Sequence, residues 1–568
     1  MPTPASTSCW TCRLRRKKCD RAVPTCNACA TLEITCHYRE SRPDWMDGGT
    51  KQSNMAQRVR AAVRQGAEAR RDRQYIRVMT LHDQAPGAER TSSVPAVAAS
   101  AHTVRKKFES ALDPFIETGN QTHFTMMYLD HVFPFLFPFC QPSILEGGRA
   151  WLLAMLGHNE ALYHSAMSLS SYFFTLILSK PPGISPDSCE QTVWDTLERH
   201  MDAAVAVMRR DMGELDRAGD SVTLSSIASV LESIIQLLIF ETAMARRADW
   251  NVHLTAALSL FTQILQKFGT DSDGRPDIGS IMSALYRPSI FDNVVLAHPV
   301  WNSEQGAFRF FAAVLLYAEI LSSASLENPP RLQQYHEHLL ATGPVDNRDE
   351  RLQMEKLMGC QGWVLVLIGE VAALAAWKKE ARTVGAGALH SELEARGESI
   401  ARKLDAGMEE IEWASQVSLE LDPVAALRSY YGAESSAALA DQHIAVTRIW
   451  AHAARIYLSI TTSGWQPENP VIRESVASVL RLFGGLSSPA HVRTLAWPLC
   501  VAGCMATVGQ EQDFRDVVWT MGPLQAFGTV GEALRIMERV WRMKDHRARE
   551  TWGLADCFGI LGSKVLLM

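Results

Sequence analysis

The 568-residue sequence lacks the short motifs that mark the common catalytic sites. It has no Gly-x-Ser-x-Gly nucleophile elbow, no phosphate-binding loop and no His-Glu-x-x-His metalloprotease motif. Gly385-Ala386-Gly387 lacks the third glycine of a dinucleotide-binding turn, and no strand-like run precedes it. These absences argue against an enzyme, and we assign no catalytic residue and no organic cofactor.

Long hydrophobic runs are also missing. The most apolar stretch, residues 363–377, has 15 residues, includes Glu370 and is followed directly by lysines. A membrane-spanning helix needs about 20 apolar residues. The stretch is therefore predicted to be a buried helix, and no membrane is among the expected partners. Residues 1–8 are polar and lack the apolar core of a signal peptide.

Strand-like alternation is rare beyond residue 105, where helical periodicity recurs instead. Two segments have apolar residues at the spacing of an amphipathic helix. They are Ile227, Val230, Leu231, Ile234, Ile235 and Leu238, and then Trp250, Leu254, Ala257, Leu258, Phe261 and Leu265. No stretch rich in Pro, Gly and Ser divides this region. The sequence therefore predicts one continuous all-α assembly over residues 105–568.

Cysteine is concentrated at one end of the chain. Six of the 12 cysteines follow a repeated rhythm, Cys9-x2-Cys12-x6-Cys19-x6-Cys26-x2-Cys29-x6-Cys36. Two tetrahedral zinc ions need eight ligand positions, and six thiolates fill them only if two bridge both metals. The repeat therefore predicts a cluster of two Zn2+ ions. A disulfide framework suits a secreted domain, and a single four-cysteine site with two spare thiols does not explain the repeat.

The remaining candidate ligands are scattered. Cys500 and Cys504 share a helix face among apolar residues. They are predicted to be buried, reduced thiols, with a redox switch as the alternative. His336 and His338 would point in different directions on a helix and have no obvious third ligand. The sequence favours a solvated histidine pair over a metal site.

Positive charge is concentrated at the same end as the repeated cysteines. The run Arg13-Leu14-Arg15-Arg16-Lys17-Lys18 lies between the second and third cysteines. Residues 1–80 contain 16 Lys and Arg against 7 Asp and Glu, whereas the remainder contains 40 against 55, for a total of −6. Such asymmetry indicates a nucleic-acid-binding module joined to an acidic domain that DNA would repel.

Residues 9–36 resemble the fungal zinc binuclear cluster (Zn2Cys6) DNA-binding domain over the whole motif. The resemblance implies that Cys9 and Cys26 bridge the two metals and that the end of a first short helix enters the major groove. Arg13, Arg15, Lys18 and the loop residue Pro24 match the family pattern. Arg16 and Lys17 depart from it, because the family usually has a lysine and an apolar residue there. The family usually reads CGG-type half-sites in double-stranded DNA.

The basic residues divide into two predicted roles. An arginine can bind guanine O6 and N7 with two hydrogen bonds, worth about 1–3 kcal/mol of discrimination. Arg16 is the first candidate for base reading and Arg15 the second. Phosphate contacts, which position the protein without specifying sequence, are assigned to Arg13, Lys17, Lys18 and Arg21. The alternative is that the run is a solvated face or a nuclear import signal.

Residues 46–104 are predicted to connect the DNA-binding domain, residues 1–45, to the helical domain, residues 105–568. Residues 52–80 are predicted to form a basic helix with Met55, Val59, Ala62 and Val63 on one side. Gly66 and the absence of sustained apolar heptads argue against a coiled coil. The helix could instead contact phosphates or serve in nuclear import. Residues 81–104 are predicted to be a flexible tether.

The C-terminal part of the chain resembles the fungus-specific regulatory domain that often follows such clusters. The carriers include residues 128–139, 145–149 and 169–174. The resemblance implies a nuclear regulator, by family habit an activator of RNA polymerase II transcription, acting on metabolic or biosynthetic-cluster genes. It also implies co-regulators as partners and leaves a homodimer open. The alternative is a zinc-cluster docking module carrying a ligand-binding or enzymatic helical domain.

Overall fold

The computed structural model describes residues 8–22, 24–30, 32, 34–37, 42–60, 63, 114–141, 148–178, 187–245, 250–270, 277–288, 301–340, 352–384, 389–414, 436–543 and 552–568. The chain divides into two compact units, residues 1–109 and residues 110–568, called here the head and the body. Every regular element in the described ranges is a helix, which confirms the all-α prediction. The predicted tether and the predicted helix beyond residue 63 lie outside the described residues.

Among its described residues the head has three short helices: α1 (Trp10–Arg15), α2 (Asn27–Ala30) and α3 (residues 50–60). The Sγ atom of Cys9 accepts a hydrogen bond of 3.3 Å from the backbone N–H of Cys12 and so caps the start of α1. The Asp20 carboxylate accepts the backbone N–H of Asn27 at 3.0 Å and begins α2. Cysteine spacing and short polar caps therefore set where the first two helices begin.

The body is built from helices α4 to α23 with short irregular connections. They are α4 (Pro114–Met127), α5 (Phe133–Leu136), α6 (Ala150–His158), α7 (Glu160–Leu178), α8 (Asp187–Ala218), α9 (Leu224–Ala243), α10 (Trp250–Phe268), α11 (Ile278–Ala284), α12 (Ser303–Leu326), α13 (Gln333–Leu340), α14 (Met354–Met358), α15 (Gly362–Val384), α16 (Leu389–Ala414), α17 (Ser436–Ser463), α18 (Pro470–Phe483), α19 (Pro489–Arg493), α20 (Ala496–Cys504), α21 (Glu511–Trp519), α22 (Val530–Arg542) and α23 (Leu554–Phe558). A π-helical segment, Tyr128–Val132, joins α4 to α5.

Two helices lie at the centre of the body. Helices α9 and α12 are long and apolar enough to cross a membrane, but 83% and 100% of their apolar segments are buried inside the domain. The periodic apolar positions of α9 are buried, as predicted, and burial extends to its polar residues Glu232, Ser233 and Gln236. The prediction for α10 is confirmed, since its apolar stripe is buried while its other side is exposed. The stretch 363–377 is a largely buried part of α15, as predicted.

Several polar residues inside the body have partners that sequence patterns do not reveal. His336 is buried, and its Nε2 atom lies 2.9 Å from Oε2 of Glu319. The other carboxylate oxygen of Glu319, Oε1, accepts a 2.8 Å hydrogen bond from the backbone N–H of Leu332. The prediction that His336 and His338 form a solvated pair is therefore wrong for His336, although His338 is exposed. His336 is buried next to the Glu319 carboxylate of α12 because a buried carboxylate needs hydrogen-bond donors.

The predicted burial of Cys500 and Cys504 is confirmed. Both lie in α20 inside the core, with their Sγ atoms 4.0 Å apart. The last residues, Val565 to Met568, are buried as well, and Oγ1 of Thr529 donates a hydrogen bond to the backbone oxygen of Met568. The apolar segment that follows Leu554 thus belongs to the core of the body.

Candidate metal centre and nucleic-acid interface

The six cysteines of the repeated motif converge on one place in the head. Two sets of four Sγ atoms each lie within 4.8 Å of one another: Cys9, Cys12, Cys19 and Cys26, and Cys9, Cys26, Cys29 and Cys36. Cys9 and Cys26 belong to both sets. The six sulfur atoms thus form two overlapping sets of four, the number of ligands in a tetrahedral metal site.

The spacing of the sulfur atoms fits zinc. Zn–S bonds of about 2.3 Å in a tetrahedron place sulfur atoms about 3.8 Å apart. The Sγ atom of Cys26 lies 3.7 Å from that of Cys9, 3.6 Å from that of Cys12 and 3.9 Å from that of Cys36. Among first-row metals, an all-thiolate tetrahedral donor set favours zinc or an iron–sulfur cluster, and zinc agrees with these distances.

The metal ligands are also the hydrophobic core of the head. Cys9, Cys12, Cys26 and Cys29 have no exposed surface, and Ile34 is the other buried member of the cluster. Burial raises the pKa of the Cys9 and Cys29 thiols and raises the pKa of Cys12 to about 11. Zinc bound here would displace these protons, so metal binding and folding of the head are coupled.

A threonine holds the two halves of the head together. The Thr11 hydroxyl donates a 2.9 Å hydrogen bond to the backbone oxygen of Thr35 and accepts a 3.1 Å bond from the backbone N–H of His37. The backbone N–H of Trp10 donates to the oxygen of His37 at 2.9 Å. Helix α1 is thereby fixed on the C-terminal part of the motif. Sequence reasoning missed Thr11, because the cysteine spacing gives no signal for it.

The basic run leaves α1 at its C-terminal end. The helix ends at Arg16, which has a left-handed backbone with φ 56°, and the chain continues without helix through Lys17 and Lys18. A non-glycine residue in this conformation costs about 1–2 kcal/mol. The turn projects Arg16, Lys17 and Lys18 from the helix end as exposed side chains. Arg13 and Arg21 are exposed as well.

The two arginines predicted to read bases have different surroundings. Arg15 is half-buried, and its Nη1 atom is buried without a hydrogen-bond partner in the described part of the chain. Arg16 is exposed. The guanidinium of Arg13 lies 4.8 Å from the centre of the Trp10 ring, an arrangement that restrains it against α1. Arg16 is therefore the freer of the two candidates to reach a base edge.

Helix α3 packs against the metal-binding core. Val59 and Val63 contact the cluster formed by the cysteines and Ile34. Both residues belong to the apolar side that the sequence predicted, together with the half-buried Met55. The packing partner of that side was not predicted, because an apolar stripe does not say what covers it.

Both units match known protein families. Residues 7–44 match the fungal Zn(2)-Cys(6) binuclear cluster domain, and residues 123–568 match the fungal specific transcription factor domain. No solved structure matches the chain.

Related proteins extend over nearly the whole chain. A protein named transcription factor dibT, from Pestalotiopsis microspora, is 36% identical over 99% of this chain and 98% of its own length. The pestheic acid cluster transcriptional regulator 3 of Pestalotiopsis fici is 27% identical over 97% of both chains. The ustiloxin B cluster transcription factor ustR of Aspergillus flavus is 26% identical over 96% of this chain and 95% of its own. This chain therefore belongs to the family of fungal Zn2Cys6 transcription factors: it is a zinc-binding, DNA-binding regulator of transcription and not an enzyme.

Proposed function

We propose that the head binds two zinc ions and reads CGG-type half-sites through the end of α1. Cys9 and Cys26 would bridge the ions, Cys12 and Cys19 would complete one site, and Cys29 and Cys36 the other. Arg16 would contact a guanine. Arg13, Lys17, Lys18 and Arg21 would contact phosphates, and Arg15 is the second candidate for the base contact.

One observation carries this proposal more than any other. The exposed run Arg16-Lys17-Lys18 begins where α1 ends, and the first turn of α1 is fixed by the Cys9 cap and by Thr11. A guanidinium held on a rigid support loses less conformational entropy when it binds a base edge than one on a free chain. The cluster thus supplies the rigidity, and the basic run supplies the contacts.

The names of the relatives support a role in secondary metabolism. Two regulators of named biosynthetic clusters, those for pestheic acid and ustiloxin B, align over almost their entire length. A trichothecene biosynthesis regulator from Trichoderma arundinaceum is 27% identical over 75% of this chain. We propose that this chain regulates the genes of one biosynthetic cluster in the nucleus. The body would bind transcription co-regulators, and two chains would act as a homodimer on paired half-sites.

Selection of duplexes from a random pool by the full-length, zinc-loaded protein tests the proposal. A guanine-containing triplet should be enriched, and the enrichment should vanish when zinc is chelated or when Cys9 is replaced by Ala. Metal analysis should give two zinc ions per chain. Paired triplets at a fixed spacing would support the homodimer. Zinc at two per chain without any enrichment would contradict DNA reading and favour a docking module.

Two single variants separate base reading from phosphate contact. Arg16→Ala should relax the preference for the selected triplet by about 1–3 kcal/mol. Lys17→Ala should weaken binding to selected and random duplexes alike and lower the salt dependence by about one unit. Equal losses on both duplexes for Arg16→Ala would show that Arg16 contacts only the backbone.

A further inference from the structure

Helix α3 is fixed to the metal-binding core at its far end and capped at its start. Val59 and Val63 pack against the cluster of cysteines and Ile34. Before the helix, Oδ1 of Asp47 accepts the backbone N–H groups of Gly49 at 2.8 Å and Gln52 at 3.1 Å. The Gln52 side chain in turn accepts the N–H of Gly48 at 3.0 Å. A helix restrained in this way moves with the zinc cluster.

The exposed surface of α3 carries charge of one sign. Residues 50–60 contain Lys51, Arg58 and Arg60, all exposed, and no Asp or Glu. The three cations have no ion pair in the described part of the chain, and none of the acidic residues of the head lies on this helix. An exposed cationic face on a DNA-binding domain fits a polyanion.

The three cations do not share one side of the helix. Lys51 and Arg58 are seven residues apart, so they differ by only about 20° around the helix axis. Arg60 lies about 180° from Lys51, and Val59 and Val63 fall between the two positions. The apolar side of α3 that packs on the cluster is therefore flanked by cations. Lys51 and Arg58 lie along one edge, called here the two-cation edge, and Arg60 lies on the other, the one-cation edge.

The two-cation edge fits a nucleic-acid backbone better than the one-cation edge does. Seven residues of α-helix rise about 10.5 Å, so Lys51 and Arg58 project from one edge about two helical turns apart. With their long side chains, both can reach phosphates of one duplex at the same time. Arg60 lies on the opposite edge and faces away from those phosphates.

We propose that α3 is a second DNA-binding element, in which the Lys51–Arg58 edge binds phosphates beside the half-site. The inference rests on the proposed function, because it takes the end of α1 to occupy that half-site. It gives the connecting segment a role in affinity and binding-site length, and none in choosing the triplet, since phosphate contacts carry no base information.

Salt titrations of the full-length, zinc-loaded protein on its selected duplex test the inference. The variants are Lys51→Ala, Arg58→Ala, the double variant, and Arg60→Ala as the control with the same loss of charge. The slope of log affinity against log salt should fall by about 0.9 for each single variant and about 1.8 for the double variant. Arg60→Ala should leave the slope unchanged, and all four proteins should retain the wild-type zinc content and triplet preference.

The outcomes separate the inference from the function on which it rests. If the wild-type protein selects no triplet, the proposed function fails first. If it does select one and the double variant keeps the wild-type slope, only the role of α3 is overturned. An equal fall of the salt slope in Arg60→Ala and Arg58→Ala would also overturn the inference. Such a result would indicate general electrostatic attraction and not binding by one edge of α3. Loss of nuclear accumulation with an unchanged slope would reassign the edge to an import receptor.

Discussion

The head and the body are held together by different interactions. In the described part of the head, the buried hydrophobic core consists of four cysteines and one isoleucine. The core of the body is a continuous cluster of aromatic and aliphatic side chains that extends from Tyr128 to Met568. A region as small as the head cannot bury enough apolar surface to be stable, and metal coordination compensates for this. The body has no such need, and Cys500 and Cys504 serve it as small apolar residues.

The difference explains how the DNA-binding surface is kept exposed. Because buried cysteines supply most of the interior of the head, cationic residues such as Arg16, Lys17 and Lys18 need not cover a core and remain in solvent. In the body, burial extends even to charged residues, such as Glu319 paired with His336. The two regions should therefore lose structure independently, and four measurements test that separation.

Loss of metal should have the largest effect, and it should be confined to the head. Structural zinc contributes about 10–16 kcal/mol to folding in small modules. Cys26→Ser should reduce the zinc content and abolish specific DNA binding, while thermal unfolding of the body stays at the wild-type temperature. Cys500→Ala, which removes a buried thiol of the body, is the matched control and should retain full zinc content. A lower unfolding temperature of the body in Cys26→Ser would contradict the independent stability of the head and the body.

A core aromatic of the body should show the reverse pattern. Phe311 is 1% exposed, and its ring centre lies 5.1 Å from that of Phe310. Phe311→Ala should destabilise the body by about 3–5 kcal/mol through lost burial and a cavity, as measured by denaturant unfolding. The zinc content should not change. Trp519→Ala, at a side chain that is 53% exposed, should cost less than about 0.5 kcal/mol.

Thr11 tests how far the head depends on contacts other than metal. Thr11→Ala leaves the backbone N–H of His37 and the oxygen of Thr35 without their side-chain partner. We expect a cost of about 1–3 kcal/mol, seen as faster zinc release to a competing chelator. Thr11→Ser retains the hydroxyl and should behave nearly as the wild type does. Equal release rates for all three proteins would indicate that metal coordination alone positions α1.

The head and the body also differ in how much of their structure the sequence predicts. The cysteine rhythm predicted a zinc-binding site, because metal ligation requires particular residues at particular spacings. The same rhythm contains no information about Thr11 or about Val59, whose contacts depend on how the chain folds back. Helical periodicity predicted the all-α body and the buried stripe of α10, since period and burial are directly related.

What the sequence does not predict in the body has one physical cause. The apolar period of α9 does not reveal that its polar residues are buried too, and His336 was expected to lie in solvent. These residues are buried because neighbouring helices cover them. Polar residues such as Gln236 and His336 are tolerated there through specific partners, namely the hydroxyl of Tyr128 and the carboxylate of Glu319. Partners far apart in sequence leave no periodic signal.

The smallest expected effect concerns a histidine pair that makes the body sensitive to mild acid. The Nδ1 atoms of His164 and His200 are 2.8 Å apart, so one ring must donate and the other accept. Burial, His164 and Arg199 lower the pKa of His200 from 6.5 to about 4, and burial lowers the pKa of His164 despite the nearby Glu160.

Between pH 6.5 and about pH 4 the unfolded chain therefore binds protons that the folded body excludes, and stability falls as the pH is lowered. Both rings are half-buried, and solvent screening limits the effect to about 1 kcal/mol. His200→Gln should flatten the decline in denaturant unfolding of the body over this range. Exposed His338→Gln should not. An unchanged decline in His200→Gln would assign the acid sensitivity of the body to other groups.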